Sequence, residues 1–257
     1  VHMTFVPTLL ALAAVLSAAH AEIIVLGSSA FDWILYNAQN NVSVTAHVPG
    51  EVHTDLLAAQ VIQEPYFGFN EHNYEWIATE NWTYSLTFDV PSPEARASLV
   101  LSGIDTVASV FFNGRQVGSA DNFFSEWTFD VSGLVKGTGN TLELRFTSAL
   151  AEAKSRAASY PYPVPATENY HVWVEPSSRN FVRKAGSDFG WDWGPAYVPT
   201  GIHASPVLVL GDQLTIEHLV PQQQHFPNGS VRVDVEAVLR CSGDWCSSSS
   251  QQPGMAL

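Results

Sequence analysis

Two stretches of this chain, YSLTFDV at 84–90 and TLELRFT at 141–147, put an apolar side chain at every second position. A period of two gathers those groups on one face of an extended strand, whereas a helix would scatter them around its circumference. Related runs predict strands at Phe31–Tyr36, Val42–Val48, Thr83–Val90, Ala97–Ser102, Ala108–Asn113, Thr128–Val131, Thr141–Thr147, Val207–Leu210, Leu214–Val220 and Val231–Leu239. Asn113-Gly114 between apolar flanks in VFFNGRQVG is a strong short hairpin signal, and GTGN at 137–140 is a second turn. Many short half-buried strands must cover one another's apolar faces, and the economical solution is an all-β antiparallel sandwich.

Two segments break the pattern. VHTDLLAAQ, from Val52, follows Pro49-Gly50 and reads as a short helix. SALAEAKSRAASY opens with a capping residue at Ser148 and runs through strong helix formers to Pro161. The Pro-rich stretch after it, 161–180, is too long for an idle connection, and such loops commonly carry function.

The amino terminus reads as an export signal. A start at Met3 leads into the apolar run FVPTLLALAAVLSAA and then Ala19-His20-Ala21, which predicts a signal peptide over 1–21. Secretion is expected, with a lysosomal or vacuolar destination as the alternative. Three sequons agree with export, at Asn41, Asn81 and Asn228. Cys241 and Cys246 are close enough to close a small loop as a disulfide in an oxidising compartment. No later run is long enough to span a bilayer. Composition shifts near Gly211-Asp212, so 22–211 is expected to form one domain and 212–257 the start of a second, cut short.

Charge and motifs narrow the function. Lys and Arg number 11 against 25 Asp and Glu, a formal charge of −14, so phosphate-rich partners and anionic membrane surfaces are not expected. G-x-S-x-G, P-loop and H-E-x-x-H signatures are missing, and Gly137-Thr138-Gly139 is a turn rather than a dinucleotide loop. The nine histidines have no ligand spacing, and two cysteines cannot form a four-thiolate zinc site, so neither metal nor cofactor is expected. Glycoside hydrolysis needs a carboxylate pair. Candidates are Asp188, Asp192, Glu71, Glu75 and Glu80, but Glu71 in Asn70-Glu71 reads as a loop residue.

FGWDWGPAYVPTGI, at 189–202, sets Asp192 between Trp191 and Trp193. Indole faces stack on sugar C–H surfaces, and a carboxylate accepts two hydrogen bonds from neighbouring hydroxyls. The residues alone leave two readings open. Either the tryptophans are sandwich core and Asp192 serves turn donors, or the three grip a sugar, with Arg183 steadying Asp192 or pointing at the same ligand.

RKAGSDFGWDWGPAYVPTGI at 183–202 resembles the segment that ends the N-terminal domain of β-mannosidases of glycoside hydrolase family 2. VPGEVHTDLLAAQVIQEPYFGFNEHNYEWIATENWTYSLTFDV at 48–90 and GIDTVASVFFNGRQVGSADNFFSEWTFDVSGL at 103–134 are similar to the same family. The likeness runs from about Ile24 to Val209 and weakens towards Leu239. It implies a jelly-roll, galactose-binding-like sandwich, then an immunoglobulin-like sandwich, then a catalytic barrel holding the two glutamates of a retaining mechanism. It also implies that Asp192 hydrogen-bonds hydroxyls of a terminal mannose, with Trp191, Trp193 and Arg183 around it, on a β-mannoside oligosaccharide. Neither barrel glutamate is matched here, so the chain alone is expected to be inactive. A non-catalytic carbohydrate-binding module is the alternative, and a purely structural sandwich fragment is a third reading.

Overall fold

A computed structural model of the chain describes residues 22–165, 178–211 and 213–242. The proposed signal peptide, Cys246, the side chain of Cys241 and much of the Pro-rich stretch lie outside the described residues.

One sheet orders β3 (Val42–Ala46), β2 (Trp33–Asn37), β5 (Trp82–Phe88), β11 (Asn140–Phe146), β8 (Ala108–Phe112) and β9 (Arg115–Ala120). The facing sheet orders β1 (Glu22–Val25), β13 (Val207–Leu210), β6 (Ala97–Leu101) and β10 (Trp127–Asp130). Every strand pair is antiparallel. The period-two pattern sets the burial: alternate side chains of β2, β5, β6, β8 and β11 are buried, and their neighbours face outward. Register then lines the buried positions up across strands. Leu35 faces Tyr84, Tyr84 faces Leu144, and Leu144 faces Val110. These pack with Leu99, Leu101, Leu208 and Leu210 of the other sheet in one core, the β-sandwich expected from the alternation. Each fully buried large apolar side chain in it contributes about 1.5–3 kcal/mol.

The Asn113-Gly114 turn joins β8 to β9. Both residues have positive φ, 50° and 77°, as a two-residue hairpin turn of this hand requires. Asn113 also ties the turn down: its Nδ2 donates to the Leu134 carbonyl and its Oδ1 accepts from the Thr141 N–H.

Short elements that alternation does not reveal position the site. β4 (Gly50–Glu51), β12 (Gly201–Ile202) and β7 (Ile104–Asp105) form a small third sheet. Gly201 pairs with both Glu51 and Asp105, and a side chain on it would strike the Gly50 carbonyl. α1 (Val52–Ala58) follows β4 directly, its Val52 N–H donating to the Thr200 carbonyl at 2.9 Å. The chain from Asn70 forms two single-turn helices, α2 (Asn70–Asn73) and α3 (Trp76–Thr79), so Glu71 is helical rather than a loop residue. α4 (Ala149–Ser159) starts where Ser148 predicts, with the Ser148 hydroxyl accepting from the Ala151 N–H. β14 (Gln213–His225) and β15 (Val231–Ser242) are longer than the alternation suggested and pair with each other.

Candidate functional site

A second, smaller apolar cluster underlies the segment 178–199. Ala149 and Ala153 of α4 and Ala78 of α3 pack against Val182, Phe189, Ala196 and Val198. Alanines let the backbones approach closely, so this stretch rests on helices rather than hanging as a free loop.

Lys184 fixes it more firmly. Its side chain is fully out of solvent, and Nζ donates to Asp105 Oδ2 at 2.5 Å, to the Pro199 carbonyl at 2.6 Å and to Asp188 Oδ2 at 2.8 Å. An ammonium has three protons, and all three find acceptors, which is the condition for burying it. Asp105 also accepts a hydrogen bond from the Thr106 hydroxyl. This ties one end of the third sheet to both flanks of the aromatic turn. Asp188, a candidate hydrolytic carboxylate by sequence, is therefore a structural counter-ion.

The turn lies between these anchors. Gly190 has φ 83° and ψ 177°, a backbone region essentially restricted to glycine. Trp191 N–H donates to the Gly194 carbonyl at 2.9 Å, and Gly194 N–H returns a bond to the Trp191 carbonyl at 3.3 Å. Asp192 and Trp193 consequently sit at the tip of a tight turn. Trp193 is 85% exposed, Trp191 is 58% exposed, and Asp192 is exposed with them. The tryptophans are not sandwich core. Large indoles held in water on a braced turn are unusual enough to indicate a contact surface.

Trp191, Asp192 and Trp193 line a cleft of about 210 Å³ with Glu71 and His72 of α2. His72 Nδ1 lies 3.1 Å from Glu75 and its Nε2 3.9 Å from Glu71. The cleft therefore presents carboxylates beside aromatic faces, a lining suited to hydroxyl donors and hostile to anions. Glu71 and His72 were not singled out as partners of Asp192 by sequence. Arg183 is placed elsewhere: its guanidinium lies 5.8 Å above the Phe124 ring, and its carbonyl accepts from the Phe123 N–H. No ion pair joins Arg183 to Asp192 among the described residues.

Next to this cleft, and sharing Pro195 with it, is a hollow of about 490 Å³ whose wall includes Glu51, His53, Asp188 and Tyr197. Burial raises the Glu51 pKa; Lys184 opposes that rise, while Asp188, Asp105 and Asp55 add to it. His53 is lowered to about 4 by burial and then by Lys184. Tyr197 is pushed up to about 12, chiefly by burial. Deeper in, Asp55 accepts from the His47 N–H at 2.9 Å and from the Tyr84 hydroxyl at 3.3 Å. Among the described residues no group of three or more His, Cys, Asp and Glu side chains is arranged to hold a metal ion.

Residues 33–204 match the model of the glycosyl hydrolase 2 galactose-binding domain-like family. A beta-mannosidase of Rattus norvegicus is 40% identical over 181 residues, which is 66% of this chain and 20% of that protein. Beta-mannosidase A of Aspergillus aculeatus is 37% identical over 242 residues, 88% of this chain and 25% of that protein. The crystal structure of beta-D-mannosidase from Dictyoglomus thermophilum superposes with a TM-score of 0.76 at 30% identity, covering 86% of this chain and 26% of that one. The exo-chitosanase CsxA of Amycolatopsis orientalis, at 15% identity and a TM-score of 0.59, shares the fold. The chain spans about a fifth to a quarter of the length of the relatives it matches. Its sandwich, and the residues that build the braced aromatic turn, belong to the glycosyl hydrolase 2 galactose-binding domain-like family.

Proposed function

We propose that this chain is the sugar-contacting amino-terminal portion of a secreted β-mannosidase, which removes terminal non-reducing β-D-mannose from oligosaccharides by a retaining mechanism. The observation that carries the proposal is the turn itself: Asp192 stands exposed between two exposed indoles, on backbone locked by the buried Lys184. The relatives' names supply the reaction and the sugar. Asp192 accepts hydrogen bonds from sugar hydroxyls, while Trp191 and Trp193 pack on C–H faces. Glu71 completes the acidic wall. The acid/base and nucleophilic glutamates come from outside these residues, so the chain by itself does not hydrolyse mannosides. Residues 22–211 form the sugar-binding-like domain, and the β14–β15 hairpin begins the next one. Asn41, Asn81 and Asn228 are proposed glycan acceptors. No helix among the described residues is long and apolar enough to cross a membrane.

The test uses a polypeptide that carries this chain together with the remaining length found in its relatives. Asp192→Asn removes charge-assisted hydrogen bonds worth about 1.5–3 kcal/mol, so kcat/KM on an aryl β-mannoside should fall roughly 10–100-fold. The melting temperature should not move, because the carboxylate is exposed. Unchanged kinetics would remove Asp192 from the sugar site.

A further inference from the structure

We propose that the hollow between α1 and the 187–199 segment is a binding site for a neutral, hydroxyl-rich ligand about the size of one sugar ring. Its volume, about 490 Å³, lies within the range of roughly 300–1,000 Å³ typical of small-molecule pockets. Two of its lining side chains carry polar atoms that the fold leaves unused. His53 is 6% exposed, and among the described residues neither of its ring nitrogens has a partner, nor does the Tyr197 hydroxyl, which is out of solvent contact. Buried polar groups are almost always hydrogen-bonded, and leaving one unpaired forfeits the hydration it gave up on burial. Both orphans belong to side chains that line one hollow, as a site complementary to an absent ligand would show.

The chemistry of the wall selects the ligand. An imidazole held neutral offers one N–H donor and one acceptor nitrogen, and a phenol offers both functions. Glu51, Glu64 and Asp188 add acceptor oxygens and disfavour anions. The Tyr197 ring meets His53 edge-on at 5.3 Å and Tyr66 at 5.4 Å, and Tyr66 is 74% exposed. Tyr66 thus forms an exposed aromatic wall of the hollow, able to cover a C–H face. Alternating hydroxyls and C–H surface on one small ring match donors, acceptors and aromatic faces together. The site depends on its own residues and stands apart from the reading of Asp192.

The experiment titrates the 257-residue chain with D-mannose to about 100 mM, two decades above a Kd of about 1 mM, while following the His53 ring resonances by NMR. A saturable shift of those resonances is expected in the wild type and in Asp192→Asn. Tyr197→Phe keeps the ring packing and deletes only the orphan hydroxyl. It should weaken binding about tenfold while the melting temperature holds or rises, which separates lost binding from lost folding. Three results would overturn the proposal: no His53 shift, an unchanged Kd in Tyr197→Phe, or binding lost in Asp192→Asn and kept in Tyr197→Phe. That last result would assign the sugar to the Asp192 cleft instead.

Discussion

Lys184 and Asp105 are 79 residues apart in the chain and 2.5 Å apart in the fold, with neither side chain more than 3% exposed. Asp105 belongs to the edge of the small third sheet, and Lys184 begins the segment that ends in the aromatic turn. Their contact transmits the rigidity of the sandwich to a surface loop, which is how Trp191 and Trp193 stay presented to water instead of collapsing onto the nearest apolar face.

Removing the cation tests that role. Lys184→Met strips buried Asp105 and largely buried Asp188 of the ammonium they share, leaving Asp105 a longer contact with His203 Nε2 at 3.7 Å, and breaking such a cluster costs about 3–5 kcal/mol. Chemical denaturation should show a loss of that size. Adding Asp105→Asn to Lys184→Met should recover part of it, because one uncompensated charge disappears. If the two losses simply add, the pair is not coupled and the turn is held by packing alone.

Gly190 gives a second test of the same brace. At φ 83° and ψ 177° any β-carbon is strained, so Gly190→Ala should cost about 1–3 kcal/mol or force the peptide to another conformation. The conformational route displaces Trp191, the next residue. Acrylamide quenching of tryptophan fluorescence should therefore change in Gly190→Ala, and stay constant in Gly186→Ala, where a β-carbon meets open space.

The sequence makes some of this architecture legible and hides the rest for physical reasons. Alternation in β5 and β11 is visible because each strand has one wet face, so burial writes itself into every second residue. Asn113-Gly114 is visible because few residue pairs accept two positive φ angles. The two-residue strands β4, β7 and β12 are too short to show any period, yet they bring Glu51, Asp105 and Gly201 together. The Lys184 cluster is invisible for a related reason: Asp188 is only four residues on, but Asp105 is 79 residues away, and a lysine facing two aspartates looks like three solvated charges until the fold buries them. Asp192 was legible through the indoles around it. Arg183 was a natural partner for it by proximity in sequence, but the backbone turns the guanidinium towards Phe124.

The three sequons should respond differently to substitution even in chain produced without glycans. Asn81 Oδ1 accepts the Ser148 N–H at 2.9 Å, and Ser148 is the cap of α4, whose alanines support the aromatic turn. Asn81→Gln should therefore cost about 0.5–1.5 kcal/mol through the lost hydrogen bond. Asn41 occupies φ 51°, where glutamine is less comfortable, so Asn41→Gln should show a smaller loss. Among the described residues Asn228 bonds locally, its Oδ1 accepting from the Ser230 N–H and hydroxyl in the exposed β14–β15 connection. Asn228→Gln should leave the denaturation midpoint unchanged. Equal effects at all three positions would contradict the anchoring role of Asn81.

His53 predicts how the fold responds to acid. Its pKa is lowered from 6.5 to about 4, first by burial and then by Lys184, so the unfolded chain binds the proton more readily than the folded one. A depressed basic group contributes stability that is complete above pH 6.5 and is lost as pH falls towards 4. By linkage that loss is on the order of 3 kcal/mol. Glu51 and Asp55 work in the opposite direction: burial raises both, so the folded chain holds their protons more tightly and gains stability as pH falls through their range. The raw melting curve therefore mixes opposing trends, and a difference isolates the histidine. His53→Gln carries no titrating proton, so its melting temperature should fall less steeply than that of the wild type between pH 6.5 and 4. Parallel curves would mean that the imidazole is solvated and titrates normally, which would also deprive the adjoining hollow of its neutral lining.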